Sequence, residues 1–168
     1  MEIKKVRAQV AKVPLDEPLA GGPPSSRSHN QFVAVRVETK DGIEGIGVSF
    51  FGGALSATLR HAIEQLGELI VGDDPLCIET LTQKLRSAAA SAGPGGILTL
   101  AISAIDMALW DIKGKFLGQS LGTMLGGLRE RVPTYASGAL VRAYPLDHLE
   151  RAARILVEKG FKQMKTQL

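Results

Sequence analysis

The C-terminal residues place a lysine and a glutamine two positions apart in a segment with the alternation of a β-strand. The segment is GFKQMKTQL, residues 160–168. Because side chains two residues apart in a strand share one face, Lys165 and Gln167 are expected side by side. A lysine can transfer a proton or stabilise negative charge, whereas an amide can only form hydrogen bonds. The pattern therefore leaves two alternatives, an acid–base or electrostatic function for Lys165 and an ordinary lysine at a strand end.

A long loop near the N-terminus contains two side chains suited to an anionic ligand. It reads PLDEPLAGGPPSSRSHN, residues 14–30, and has no apolar period. Loops of this length within a compact domain are uncommon and are usually lids, binding loops or disordered segments. Arg27 and His29 are its candidate contacts for an anion, and a solvated, mobile loop is the alternative. A second, shorter loop, FFGGA, occupies residues 50–54.

The other motifs favour structural explanations. GPGGILTLA lacks the Lys-Ser ending of a phosphate-binding loop, and the glycines of GIEGIG fit a tight hairpin. No serine or cysteine nucleophile pattern and no metal-ligand spacing is present. The single cysteine, Cys77, is expected in the core, His61 and His148 are expected at surface or boundary positions, and Asp106 is expected to pair with Lys113.

Three strands and three helices are predicted before residue 127. The strands cover residues 3–13, 32–39 and 43–51, with Asp41-Gly42 as the hairpin turn and with Ile46, Val48 and Phe50 on the apolar face. The helices are expected over 55–70, from Asp74-Pro75 to about 85, and over 98–116, each with an apolar stripe. In the third helix this stripe ends at Phe116, Asp111 and Lys115 are expected to form an i, i+4 pair, and Gly118 is the expected C-terminal cap. Helices that cover one face of an antiparallel meander make an α+β domain.

A strand, a helix and a second strand are predicted after residue 127. They are RVPTYASG, HLERAARILVEKG and FKQMKTQL, a βαβ pattern with short connections. A lone βαβ unit leaves open strand edges and uncovered apolar surface. The fold is therefore expected to need more chain after Leu168, so that the sequence is expected to be truncated.

Composition restricts the class of protein. The chain has 168 residues, 45% hydrophobic and 5% aromatic, with a net charge of +3 and scattered basic residues. A basic stripe with interleaved aromatic residues, typical of nucleic-acid binding, is absent from the sequence, and no run reaches the length of a membrane span. One cysteine and no signal-like N-terminus favour a cytoplasmic location.

The stretch AISAIDMALWDIKGKFLGQSLGTMLGG, residues 101–127, carries a family resemblance. It resembles the signature of the mandelate racemase / muconate lactonizing enzyme branch of the enolase superfamily. The matching residues are Ala101, Ser103, Ala104, Ile105, Asp106, Ala108, Leu109, Asp111, Gly114, Lys115, Leu121, Leu125 and Gly126. Met124 stands where leucine is usual, and Ser120 where proline is common. The order of strands, loops and helices agrees over the whole chain.

The resemblance implies a capping domain over residues 1–127 and, over residues 128–168, the first βαβ of a (β/α) TIM-type barrel. It implies that the loops at 14–31 and 50–56 contact a small carboxylate substrate, which makes Arg27, His29 and Phe51 candidate substrate-binding residues. It also implies Mg²⁺, held by Asp and Glu side chains expected beyond Leu168, and an enolate formed by removal of the proton α to a carboxylate. A homo-oligomer is expected, with no nucleic-acid or membrane partner.

The resemblance gives the strand at 161–168 a Lys-x-Lys pair, which here reads Lys165-Thr166-Gln167. In the family the second lysine is commonly the acid–base and the first supports it electrostatically. Because an amide cannot accept a proton at neutral pH, either Lys165 is itself the acid–base or this face has none. Lys165 is therefore the candidate catalytic residue, and Gln167 a candidate substrate-binding one. Racemisation needs a base on each face of the carbon, so the pair favours a sugar-acid dehydratase. The alternatives are a racemase, an epimerase or a cycloisomerase of this family, or a non-catalytic fragment that binds an anion or a partner.

Overall fold

The computed structural model describes residues 1–16, 29–50 and 53–167. The chain divides into two compact units, the first made of residues 1–12 and 31–127, and the second of residues 13–30 and 128–168.

A three-stranded antiparallel sheet forms one layer of the first unit, as predicted. Its strands are β1 (Ile3–Pro14), β2 (His29–Thr39) and β3 (Glu44–Ser49), in the order β1-β2-β3. Gly42 has a φ of 85° in the turn between β2 and β3, a backbone conformation that glycine adopts without a Cβ clash. The side chains of β2 alternate, and Val33, Val35 and Val37 are buried as predicted.

The buried face of β3 is the opposite of the predicted one. Gly45, Gly47 and Ser49 face inward, whereas Ile46, Val48 and Phe50 are 53%, 42% and 50% exposed. The cause is the close approach of the third long helix. A Cβ built on Gly45 lies 2.0 Å from the carbonyl oxygen of Ala108, and one built on Gly47 lies 1.8 Å from that of Ala104. Only glycine fits at positions 45 and 47 of this face, so Ile46 and Val48 point outward.

The helical layer consists of α1 (Ser56–Glu68), α2 (Ile78–Ala88), a 3₁₀ turn at Ala90–Ala92, α3 (Gly96–Leu117) and the short α4 (Leu121–Met124). Gly118 ends α3 in the left-handed conformation, as predicted for a C-terminal cap. α1 approaches β1 closely, because a Cβ on Gly67 lies 2.5 Å from Cβ of Val6. The core between the layers is built from apolar side chains of sheet and helices, among them Val35, Leu59, Ile63, Leu85, Ile105, Leu109 and Ile112.

Three details of the helices differ from prediction. α2 begins at Ile78 rather than at Asp74-Pro75, because Asp74 Oδ1 accepts a hydrogen bond from the backbone N–H of Leu76 (3.1 Å) and holds a turn there. Cys77 precedes that helix and is exposed, not a core residue. Phe116, which was assigned to the apolar stripe of α3, is also exposed, since it lies in the last turn of the helix.

The predicted pair of Asp111 and Lys115 is confirmed and also binds the edge of the sheet. Lys115 Nζ lies 2.7 Å from Asp111 Oδ2, which accepts a hydrogen bond from the backbone N–H of Ile46 (2.8 Å). Lys115 Nζ also donates to the carbonyl oxygen of Glu44 at 2.6 Å. Asp111 and Lys115 of α3 thereby form hydrogen bonds with backbone groups of β3.

Substitution Asp111→Ala is expected to lower the free energy of unfolding by about 1–2 kcal/mol, because Ile46 N–H loses a charged acceptor. Glu64→Ala is the matched control. Glu64 makes the same i, i+4 type of pair with Arg60 (3.5 Å) but accepts no hydrogen bond from the sheet, so its loss should cost less than about 0.5 kcal/mol. Urea denaturation of both variants gives the comparison, and equal losses would contradict the role of Asp111 at the sheet edge.

The second unit contains a βαβ element, as predicted. Its parts are β4 (Ala136–Val141), α5 (Leu146–Glu158) and β5 (Met164–Gln167), and the two strands are parallel. β4 begins five residues later than the predicted strand at 131–138, and β5 covers only the middle of the predicted 161–168. The helix buries Ala152 and Leu156 against the strands, but Val157, predicted on the apolar face, is 60% exposed.

The face of the parallel strand pair opposite to helix α5

The pairing of β4 and β5 determines which side chains lie on the face away from α5. Ala136 pairs with Met164, and both belong to the apolar cluster that includes α5. Because side chains alternate along a strand, the next residues, Ser137 and Lys165, lie on the opposite face. Both are exposed in the described part of the chain. Lys165 and the hydroxyl-bearing Ser137 thus share one face of the strand pair.

A β-bulge in β4 lies between Ala136 and Leu140, an interval that includes Ser137. From one paired position to the next, β4 advances from Ala136 to Leu140 while β5 advances only from Met164 to Thr166, so β4 holds two extra residues. Gly138 adopts a φ of 99° within this bulge. Bulges of this kind redirect side chains and are common beside active sites. Sequence reasoning missed Ser137, although a glycine inside a strand-like segment is a signal for a bulge.

Backbone hydrogen bonds fix both ends of the strand pair. The N–H of Ala136 donates to the carbonyl oxygen of Gln163 (3.0 Å), and the N–H of Arg142 donates to that of Gln167 (2.8 Å). Gln167 is therefore held at the C-terminal edge of the pair, two residues after Lys165 on the same face, as the sequence predicts. In parallel β/α folds, this edge is where ligands bind.

Of the other predicted site residues, only His29 lies in the described part of the chain. His29 begins β2 and is exposed. Arg27 and Phe51 lie outside the described residues. Within the strand pair, the described residues bring together Lys165, Gln167 and the additional Ser137.

Two residues that were assigned no catalytic role occupy different positions. His61 is exposed, as predicted. His148 is buried in the first turn of α5, with its ring edge-on to Tyr144 at a centroid distance of 4.7 Å and its Nδ1 3.3 Å from Arg151 Nη2. The surface or boundary assignment was wrong for His148, because its aromatic neighbour in the β4–α5 turn covers it.

Within residues 1–16, 29–50 and 53–167, no group of three or more His, Cys, Asp or Glu side chains could hold a metal ion. A magnesium site therefore does not fit the side chains in these ranges. Across the same ranges, no helix combines the length and apolar character needed to cross a bilayer.

Comparison with known proteins defines the class to which this fold and strand pair belong. The profile of the mandelate racemase / muconate lactonizing enzyme N-terminal domain matches residues 5–126. The chain belongs to this family of the enolase superfamily, whose members here are sugar-acid dehydratases, cycloisomerases and racemases. The α+β capping fold predicted from the meander and helices is thereby confirmed.

Individual relatives are similar over nearly the whole chain. The 3,6-anhydro-α-L-galactonate cycloisomerase of Streptomyces coelicolor is 32% identical over 166 residues, which are 97% of this chain and 45% of that protein. A D-galactonate dehydratase family member of Pseudarthrobacter chlorophenolicus is 37% identical over 147 residues, 85% of this chain and 34% of the relative. The chain spans less than half of the length of these relatives.

A solved structure gives the same result in three dimensions. The L-talarate/galactarate dehydratase of Salmonella typhimurium, crystallised with Mg and L-lyxarohydroxamate, superposes with a TM-score of 0.85 at 29% identity. The superposition covers 99% of this chain and 44% of that one.

Proposed function

We propose that this chain provides the capping domain, residues 1–127, and the first barrel strands, residues 128–168, of a sugar-acid dehydratase. Similar proteins support this proposal, since they include a D-galactonate dehydratase and an L-talarate/galactarate dehydratase. The observation that carries the choice of reaction is the pair on β5, in which Lys165 can exchange a proton and Gln167 cannot.

The proposed chemistry begins with removal of the proton α to a carboxylate. Dehydration then expels the β-hydroxyl as water, so one proton acceptor and one proton donor suffice. Lys165 is the candidate for proton transfer or for stabilising the negative charge at the α-carbon. Gln167 and Ser137 would donate hydrogen bonds to substrate oxygens from the same face. Arg27, His29 and Phe51 are proposed to contact the substrate from the loops at 14–31 and 50–56.

The proposed reaction also includes a magnesium ion. Magnesium accompanies the ligand in the talarate/galactarate dehydratase crystal, and an ion of this type stabilises an enolate when it is bound. Since the described side chains form no such site, we propose no ligand for the ion within them. The roles proposed for Lys165, Gln167 and Ser137 concern only protons and hydrogen bonds. A cytoplasmic location and a homo-oligomeric state are proposed on the same family grounds.

A cycloisomerase is the second candidate, because the Streptomyces coelicolor relative has that activity at 32% identity. It differs from dehydration in its product, since isomerisation releases no water. The racemase and epimerase alternatives differ in a further way, because they return the proton to the same carbon.

Incubation of the native gene product with D-galactonate, galactarate and L-talarate in D₂O tests the proposal. We expect a 2-keto-3-deoxy acid from at least one substrate and slow deuterium uptake at the α-carbon of recovered substrate. Gln167→Lys should raise that uptake, because it adds a second group that can exchange a proton at this edge. Deuterium exchange at similar rates from both configurations at the α-carbon, without a keto acid, would identify a racemase and reject the dehydratase.

A further inference from the structure

A cleft lies between α2 and α3 in the first unit, and no step of the proposed reaction uses it. Its volume is about 500 Å³, and it is lined by residues of both helices and of the segment that joins them. Sites for small ligands commonly have volumes of about 300–1,000 Å³, with apolar walls and a few convergent polar groups. The cleft has both features.

The two walls of the cleft differ in character. α2 contributes Glu79, Thr82 and Arg86, whose spacing places them on one side of the helix. α3 contributes the apolar side chains Leu98 and Ile102, followed by other polar ones. Two apolar side chains of α3 therefore lie in a cleft whose other lining side chains from both helices are charged or carry hydroxyl groups.

Asp106 is the acidic group that α3 contributes to the cleft. It is half-buried, and Thr82 Oγ1 donates to its Oδ1 at 3.4 Å, a long hydrogen bond. The predicted partner Lys113 is instead placed over the ring of Trp110, 5.0 Å from its centroid, so that prediction was wrong. Among the residues with described positions, no cation forms an ion pair with Asp106.

The balance of charge in the cleft favours a cationic ligand. It contains two carboxylates, Glu79 and Asp106, and one guanidinium, Arg86, and none of them forms an ion pair within the described parts of the chain. Burial raises the pKa of Asp106 and the charge of Glu79 adds to this, while the hydrogen bond from Thr82 and the charge of Arg86 act in the opposite direction. An anion would meet net negative charge here, whereas a cation would compensate it.

We propose that this cleft binds a small amphipathic cation, an alkylammonium or alkylguanidinium compound. Its charged end would lie between Asp106 and Glu79, and its alkyl part against Leu98 and Ile102. A guanidinium group suits the site well, because its planar set of N–H donors can bind two carboxylate oxygens at once. The proposal does not depend on the dehydratase reaction, since all of these residues belong to the first unit.

Calorimetric titration of the native gene product with n-butylguanidinium chloride tests this site. We expect saturable binding with a Kd on the order of 1 mM, typical of a small ligand with one charged contact. Asp106→Asn keeps the size of the side chain and a group that can accept from Thr82, and it should weaken binding about tenfold or more. Ala90→Trp should abolish binding by filling the cleft, because Ala90 is exposed and lines it.

Two controls make the titration specific. Asp41→Asn changes an exposed carboxylate in the β2–β3 turn and should leave the Kd unchanged. Butyrate, which offers a similar alkyl chain with the opposite charge, should not bind. The proposal would be overturned by absence of saturable binding to the unsubstituted protein, or by a variant, Asp106→Asn or Ala90→Trp, that binds as tightly as the unsubstituted protein. Tighter binding of butyrate than of n-butylguanidinium would also overturn it. A protein that dehydrates sugar acids but binds no cation would overturn this inference alone.

Discussion

Replacement of Gly47 by valine is expected to destabilise the first unit by about 3 kcal/mol or more. The added Cβ alone would lie 1.8 Å from the carbonyl oxygen of Ala104, and the contacted atom belongs to the backbone of α3. No side-chain rotation can relieve this clash, so β3 and α3 must separate. Separation would expose buried residues such as Ile105 and Leu109, which pack beneath the sheet.

Thermal and urea unfolding of the native gene product measure this effect. Gly95→Ala is the matched control, because Gly95 has an extended backbone and an added Cβ meets nothing within 4 Å. That substitution should change the free energy of unfolding by no more than about 0.5 kcal/mol. Gly47→Ala should fall between the two variants. Equal stability of the Gly47 and Gly95 variants would show that β3 can move away from α3 without cost.

Replacement of Lys165 by alanine is expected to lower kcat by about 10²- to 10⁴-fold, the range typical of lost proton transfer by a positioned side chain. Lys165 is exposed and makes no contact in the apolar cluster of the second unit, so the fold should be retained. Steady-state rates of keto-acid formation from the best sugar-acid substrate give the measurement, with circular dichroism to verify folding.

A second substitution separates the two roles left open for Lys165. Lys165→Arg keeps the positive charge but cannot accept a proton at neutral pH. Retention of most of the rate by the arginine variant would assign an electrostatic role, and loss equal to that of alanine would assign proton transfer. Lys162→Ala is the control, since Lys162 is also exposed and precedes β5. A similar loss of rate in the Lys162 and Lys165 variants would contradict a specific role for Lys165.

Periodicity predicted the elements that have strong and consistent patterns. The valines of β2 and four residues of the α3 stripe are buried, because burial of those side chains dominates the local energetics; the four are Ile102, Ile105, Leu109 and Ile112. The same reasoning was wrong for β3. Ile46 and Val48 are more hydrophobic than Gly45 and Gly47, which predicts that the first two are buried, but the glycines are the buried residues. The deciding interaction is a backbone-to-backbone contact with a helix sixty residues later in the chain, which a local pattern does not contain.

The sequence was sufficient to predict part of the candidate site, but not all of it. The spacing of Lys165 and Gln167 was sufficient to place them on one face, since strand alternation is a local property. The position of Ser137 beside Lys165 depends on the register between β4 and β5 and on a bulge at Gly138. Register between strands that are separated by a helix is a tertiary property, so this neighbour could not be deduced from periodicity.

The contact of Gly45 and Gly47 with the backbone of α3 has a consequence for recombination between homologous proteins. Gly45 and Gly47 let the backbone of β3 contact the backbone of α3 directly. Neither element can therefore be exchanged unless the other tolerates the same distance between the strand and the helix. A crossover between β3 and α3 would combine halves from two parents that had adjusted this spacing independently. Chimaeras of this domain should therefore inherit residues 44–49 and 104–112 from one parent, while the outward residues Ile46 and Val48 can vary freely.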